Sequence, residues 1–189
     1  MPTLFFEFHG SQAAVAEQAT RVGDIAREQG GGDFRWASRP EDRSRLWQAR
    51  DNTLYASMAL RPGARALITD VCVPISRLAD CVTETRRDID ASGLTVCIVG
   101  HVGDGNFHLL IVVDPADAAE IGRARSLHDK MVQRAIAAQG TCTGEHGIGT
   151  GKIDFLRAEL GGAVDVMRQV KYSLDPGNIM NPGKIFPAQ

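Results

Sequence analysis

The feature that most constrains the fold of this 189-residue chain is a pair of apolar segments separated by a short polar turn. Residues 95–100 and 107–113 are rich in β-branched and other apolar side chains, and Gly-Asp-Gly-Asn lies between them at 103–106. Gly and Asn tolerate the positive φ values that a tight reversal needs, so the pattern predicts a β-hairpin. The fold must therefore contain an antiparallel sheet.

A histidine lies on each side of this predicted turn. With the turn at 103–106, Val102 pairs with Phe107 and His101 pairs with His108. Residues paired directly across antiparallel strands have Cβ atoms about 5 Å apart on one face of the sheet. Two imidazoles so placed can share one cation. The alternative is an ordinary pair of cross-strand polar residues, because two histidines at this spacing are not specific to metal sites.

A third ligand is available in a glycine-dense segment at 141–151, the glycine loop, which contains Glu145 and His146. Glycines let such a loop approach another segment closely. Two imidazoles and one carboxylate suit Zn²⁺, Mn²⁺ or Fe²⁺, and an incomplete ligand shell leaves room for a substrate oxygen. We therefore predict a divalent metal site formed by His101, His108 and Glu145, with His146 as a titratable group beside it.

Composition and charge exclude several classes of protein. The formal net charge is -2 with both signs interspersed, which gives no basis for binding nucleic acid. No segment is long and apolar enough to span a bilayer, and the first residues resemble a strand more than a signal peptide. The four cysteines occur singly, without a C-x-x-C pair, which is typical of reduced thiols in a cytoplasmic compartment.

The remaining patterns predict an α+β fold. Strands are expected at 4–8, 34–37 and 66–73 before the hairpin, and helices at 11–30, 41–60, 74–93, 114–139, 153–160 and 163–174. The second half follows the order β-α-β-β-α, which is most of a ferredoxin-like split β-α-β-β-α-β unit. We therefore expect an antiparallel sheet with helices packed on one face.

Five motifs, in this order along the chain, give a resemblance to a known family. They are Leu-Trp-Gln-Ala-Arg at 46–50, Thr-Asp-Val-Cys-Val-Pro-Ile-Ser-Arg-Leu at 69–78, the histidine hairpin at 100–108, the part of the glycine-dense segment at 140–149 and the tail Leu-Asp-Pro-Gly-Asn-Ile-Met-Asn-Pro-Gly-Lys at 174–184. Together they resemble the C-terminal part of flavin-dependent D-lactate dehydrogenases of the cytochrome type. The wider family of FAD-linked oxidases includes glycolate oxidase subunits and D-2-hydroxyglutarate dehydrogenases.

The resemblance implies that residues 1–189 form the substrate- and metal-binding domain and that the larger FAD-binding domain of the family is absent from this chain. No glycine-rich segment stands at a strand-to-helix junction of the dinucleotide-binding type, so we expect the isolated chain to be inactive. By resemblance, Arg50 pairs with the substrate carboxylate, His146 accepts the hydroxyl proton as hydride leaves for FAD, and Asn181 lies near the flavin ring. The alternative for Arg50 is an exposed arginine on a helix, and that for His146 is a loop histidine bonded to the backbone. The alternative for Asn181 is an ordinary turn residue.

The implied reaction is oxidation of a small D-2-hydroxy acid to the 2-oxo acid. Relatives that oxidise 2-hydroxyglutarate tend to have Lys and Asn where this chain has Ile68 and Leu110, which favours a monocarboxylate such as D-lactate. A glycolate oxidase-like domain and a non-catalytic ferredoxin-like binding module are the alternatives. The family also implies a cytochrome or quinone as the electron acceptor. The expected location is the cytoplasm, with peripheral contact to the inner membrane as an alternative. The surface that would face the FAD domain is also a candidate surface for a homodimer.

Overall fold

A computed structural model of the protein describes residues 2–32 and 34–187. The chain divides into a first unit, Met1–Asp51, and a second unit, Asn52–Gln189. The first unit contains helices α1 (Gln12–Glu28) and α2 (Pro40–Asp51). Ser11 precedes α1, and its side chain accepts a hydrogen bond from the backbone of Ala14, which satisfies one of the free amides at the helix start.

The strands predicted at 4–8 and 34–37 are absent from the described part of this unit. Their aromatic side chains contact one another instead, with ring centroids 6.1 Å apart for Phe6 and Phe8 and 6.2 Å apart for Phe8 and Trp36. Alternating apolar residues predict a strand only when a partner supplies the backbone hydrogen bonds. The prediction failed because it considered the side chains and not the pairing.

The second unit holds the whole of the sheet that the structure describes. Its elements are α3 (Thr53–Ala59), β1 (Arg65–Ile68), β2 (Val71–Cys72), α4 (Ile75–Ser92), β3 (Thr95–His101), β4 (Asn106–Val113), α5 (Ala118–Ala137), α6 (Ile153–Leu160) and α7 (Ala163–Leu174). The helix predicted at 41–60 is therefore two helices, α2 and α3, which are separated at Asn52.

Strand β4 is the centre of the sheet, and every residue along it is buried. β3 pairs with one edge of β4, and β1 and β2 pair in succession with the other edge, all antiparallel. β1 and β2 share one register, since Ile68 pairs with Leu110 and Val71 with Phe107. The two residues between them, at 69 and 70, therefore lie opposite the middle of β4, where the strand that was predicted at 66–73 is interrupted.

The main core lies between this sheet and helices α4 and α5. Leu109 and Ile111 of β4 are fully buried there, with Met131 and Val132 of α5. Full burial of each such side chain contributes about 1.5–3 kcal/mol. Gly93 ends α4 in the left-handed conformation, with φ 68°, and returns the chain to β3.

The predicted α+β class and the antiparallel sheet are confirmed. After α5 the chain makes one further antiparallel bridge, between Thr141 and Cys72, so the position expected for a last strand is reduced to a single residue pair. This bridge brings the start of the glycine loop to the end of β2. Among the described residues, no helix is both long and apolar enough to cross a membrane.

Candidate metal site

The three predicted metal ligands lie together at one end of the sheet. His101 ends β3, His108 is the third residue of β4, and Glu145 belongs to the loop that follows α5. One ligand atom from each side chain lies within 4.8 Å of the others. The carboxylate oxygen Oε1 of Glu145 is 2.9 Å from Nε2 of His108 and 3.8 Å from Nε2 of His101.

The hairpin register differs from the predicted one by two residues. His108 pairs with Val99, and His101 pairs with Asn106. Side chains alternate between faces with a period of two, so this shift leaves both histidines on the same face as diagonal neighbours. Their ring centroids are 6.3 Å apart.

The turn itself explains the shift. Val102–Asp104 form a short 3-10 turn, and the residue with the left-handed conformation is Gly105, with φ 77°. A Cβ atom on Gly105 would lie 2.0 Å from the carbonyl oxygen of Val73, whose own backbone N–H donates to the Gly105 carbonyl. Asn106 is thereby released from the predicted turn and becomes the first residue of β4.

His108 is held in one orientation by the interruption between β1 and β2. Its Nδ1 lies 3.0 Å from the carbonyl oxygen of Thr69. A carbonyl only accepts hydrogen bonds, so Nδ1 carries a proton and, in the neutral imidazole, the lone pair is at Nε2 on the side of Glu145. This is the arrangement that metal-binding histidines have in proteins, with the second ring nitrogen donating to a carbonyl or carboxylate.

Asp70 is a buried carboxylate behind this cluster that the sequence patterns did not predict as part of the site. Its Oδ2 accepts hydrogen bonds from the Thr143 hydroxyl at 2.6 Å and from the backbone N–H groups of Gly144, Glu145 and His146 at 2.9, 3.0 and 2.9 Å. Burial alone would raise the pKa of Asp70, but these bonds and one from Asn106 outweigh it and hold the pKa well below its usual range. The available signal was a single charged residue in a predicted strand of mostly apolar residues.

Lys152 is a second buried ionisable residue that the sequence analysis did not identify. Its ammonium group donates to the backbone carbonyl of Asp70 at 2.7 Å and lies 3.7 Å from the Asp70 carboxylate. Burial lowers the pKa of Lys152, and the charge of Asp70 acts in the opposite direction. The pair places a compensating positive charge beside the buried carboxylate.

The residues that were predicted to act on substrate and flavin differ in their surroundings. His146 lies beside the cluster, with Nε2 3.7 Å from Oε1 of Glu145 and its ring centroid 5.2 Å from that of His108. Arg50 belongs to α2 in the first unit, where it forms an ion pair with Asp51 at 3.3 Å. Its role stays a prediction.

Asn181 occupies a turn in the tail, with a left-handed φ of 49°, and its carbonyl accepts a hydrogen bond from the backbone of Lys184. The next residue, Ile185, donates its N–H to the carbonyl of Gly149, which ties the tail to the glycine loop. The backbone conformation at Asn181 matches the turn alternative. A contact between Asn181 and a flavin stays a prediction.

Comparisons with known proteins agree with these features. The chain matches the family described as FAD linked oxidases, C-terminal domain, over residues 1–185. It is 55% identical to a protein of Danio rerio named probable D-lactate dehydrogenase, mitochondrial, over 98% of this chain and 37% of the relative. It is 46% identical to D-lactate dehydrogenase [cytochrome], mitochondrial, of Arabidopsis thaliana, over 98% of this chain and 33% of the relative.

A more distant relative is the glycolate oxidase subunit GlcD of Escherichia coli (strain K12), which is 32% identical over 97% of this chain and 37% of the relative. The chain spans about a third of the length of the relatives it matches. The family match extends over both units and includes all three residues of the candidate metal site. The chain therefore belongs to the family of FAD linked oxidase C-terminal domains.

Proposed function

We propose that this chain is the substrate- and metal-binding part of a flavin-dependent dehydrogenase that oxidises D-lactate to the 2-oxo acid. The observation that carries the proposal is the convergence of His101, His108 and Glu145 from three segments of the chain. Two imidazoles and a carboxylate are donors that suit Zn²⁺, Mn²⁺ or Fe²⁺. The half-exposed Glu145 leaves an open side at which a substrate can approach.

Each predicted functional residue has a separate role in the proposed reaction. His101, His108 and Glu145 would hold the cation, which would supply Lewis acidity to the substrate hydroxyl, and FAD, held mainly by the rest of the parent protein, would serve as the hydride acceptor. His146, half-exposed beside Glu145, takes the hydroxyl proton at a ring nitrogen. The forked guanidinium of Arg50 is suited to pair with the substrate carboxylate.

The apolar residues on the face that carries the histidines favour a substrate with a single carboxylate. Ile68 and Leu110 pair directly across β1 and β4, and Leu110 lies two residues after His108, so the pair lies on the same face as the cluster. An apolar pair there offers no hydrogen bond or positive charge to a second carboxylate. Two relatives named as D-lactate dehydrogenases, at 55% and 46% identity, point to the same substrate.

Glycolate is the second candidate substrate, because a 32% identical relative is named as a glycolate oxidase subunit. The full-length parent protein separates the two when kcat/KM is measured for D-lactate and for glycolate with a dye as electron acceptor. A higher value for D-lactate supports the proposal, and a higher value for glycolate replaces it. In either case the acceptor in the cell is proposed to be a cytochrome, as the name of the Arabidopsis thaliana relative states for that protein.

The metal is tested on the chain itself by elemental mass spectrometry after purification, with His108→Ala as the variant. His128→Ala is the matched control, because His128 is also largely buried but belongs to α5, where it contacts Asp129 and Phe155. We expect near-stoichiometric metal in the unsubstituted chain and in the control, and none in His108→Ala. Equal metal in all three proteins would refute the site, and absence of metal from all three would favour a non-catalytic binding module.

A further inference from the structure

We infer that Asp70 is a positioning residue for the candidate metal site. Its carboxylate binds the backbone of the Glu145–His146 segment and keeps this segment next to β4. The affinity of the site for metal depends on these hydrogen bonds. This inference rests on the proposed function, since it assigns Asp70 a role toward the proposed metal. Asp70 itself lies behind the cluster and is not counted among the ligands.

The loop side of the contact is concentrated on one oxygen. Oδ2 of Asp70 accepts four hydrogen bonds, and three of them come from consecutive backbone amides at Gly144, Glu145 and His146. The fourth comes from Thr143, whose hydroxyl oxygen also accepts from the backbone of Gly147. Successive backbone N–H groups that point at one anion form a concave binding site, which fixes the conformation of an irregular loop.

The strand side of the contact uses the other oxygen. Oδ1 of Asp70 accepts from the side-chain amide of Asn106 at 2.8 Å and lies 3.5 Å from Nδ1 of His108. The same carboxylate therefore touches the strand that carries one proposed ligand and the loop that carries another. Its side chain is 2% exposed, whereas that of Glu145 is 50% exposed, so the anchor is buried and the ligand is open to solvent.

The three proposed ligands do not depend equally on Asp70. His101 and His108 are placed by the β3–β4 pairing, which does not involve Asp70. Glu145 lies in neither a helix nor a strand, and its backbone N–H is one of the three that Asp70 accepts. The distance between Glu145 and the histidines is therefore the part of the geometry that Asp70 controls.

Asparagine cannot replace this carboxylate, although it has the same shape. Its amide nitrogen only donates, so at the position of Oδ2 it would face the hydroxyl of Thr143 and three backbone N–H groups. At the position of Oδ1 it would face the amide nitrogen of Asn106. Either orientation sets donors against donors. Turning the Asn106 amide would relieve the second of these only by breaking its hydrogen bond to the carbonyl of Val71, so one bond of the network is lost in each case.

The experiment compares Asp70→Asn and the milder Thr143→Val with the unsubstituted chain and with Glu120→Gln. Glu120 is the matched control, because it is also buried and bonded, to Arg61 and to the backbone of Asp114, but it belongs to the start of α5. The dissociation constants of Zn²⁺ alone and Mn²⁺ alone are measured by competition with a chromogenic chelator. Hydrogen exchange of residues 141–151 and of β4 is measured in parallel without metal.

We expect Asp70→Asn to weaken metal binding about 10- to 100-fold, which is typical when a group that orients a ligand is removed. Thr143→Val should weaken it less, and Glu120→Gln should leave it unchanged. In Asp70→Asn, exchange should speed up at residues 144–146 while β4 stays protected. That combination distinguishes a positioning role from a loss of stability throughout the unit.

Two results would overturn the role. One is metal affinity in Asp70→Asn equal to that of the unsubstituted chain. The other is faster exchange spread evenly over β4 and the loop, with Glu120→Gln losing metal affinity to the same degree. Absence of metal binding in the unsubstituted chain would refute the proposed metal site and this role with it, whereas tight binding that survives Asp70→Asn refutes the role alone.

Discussion

Replacement of Gly144 by alanine is predicted to destabilise the second unit strongly. A Cβ atom at this position would lie 2.0 Å from Nδ2 of Asn106 and 3.1 Å from Oδ1 of Asp70. The Asn106 amide cannot simply move aside, because it is buried and donates both to Asp70 and to the carbonyl of Val71. Each buried group left without its bond costs about 1–3 kcal/mol, so we expect a loss of about 2–5 kcal/mol in the free energy of unfolding.

Urea unfolding followed by far-ultraviolet circular dichroism measures this loss. Tryptophan fluorescence is not the chosen signal, because Trp36 and Trp47 both belong to the first unit, whereas the substitution is in the second. Gly151→Ala is the control in the same loop, since a Cβ atom there meets nothing within 4 Å. Alanine should change stability at that position by less than about 1 kcal/mol. Equal unfolding midpoints for the two variants would refute the close approach of the loop to Asn106.

Three further predictions concern buried and capping residues. Burial, with Glu159 beside it, raises the pKa of Cys142 to about 12, so Cys142 should resist iodoacetamide at about pH 8 in the native protein and react only in urea. Mass spectrometry of the labelled peptides checks this, and labelling of Cys142 in the native protein would contradict it. Lys152→Met should lower the free energy of unfolding by about 1–3 kcal/mol, because it removes a buried bond to the Asp70 carbonyl, and an unchanged urea midpoint would count against that bond. Asp117 caps α5, and backbone hydrogen bonds lower its pKa, so its stabilising effect is present above the unfolded pKa of about 3.9 and is lost as the pH falls. The difference in urea midpoint between the unsubstituted chain and Asp117→Ala should therefore shrink in acid, and a constant difference would refute this.

The grouping of His101, His108 and Glu145 could be predicted from the sequence although the hairpin register was wrong. The face of a strand residue depends only on whether its position is odd or even, so a shift of two residues did not separate the histidines. The register itself depended on which residue of the turn takes the left-handed conformation. Gly105 takes it because of its contact with Val73, which lies outside the hairpin and which local patterns do not contain.

Asp70 could not be predicted as part of the site for a related reason. Its partners at Thr143, Gly144 and Glu145 lie more than 70 residues away along the chain. Periodicity and turn signals report on neighbouring residues, whereas a buried carboxylate acquires its role from whichever loop the fold brings to it. The same limit applies to the segment at 4–8, whose composition suits a strand but which has no strand pairing in the described part of the chain.

The complete burial of β4 has a consequence for handling the protein. Its sequence, Asn-Phe-His-Leu-Leu-Ile-Val-Val, contains no acidic residue, lysine, arginine, proline or glycine. Such a segment readily stacks with copies of itself once its neighbours release it. Substitutions that weaken the strand pairing should therefore first appear as protein lost to the insoluble fraction during expression, before any change can be measured in the purified chain.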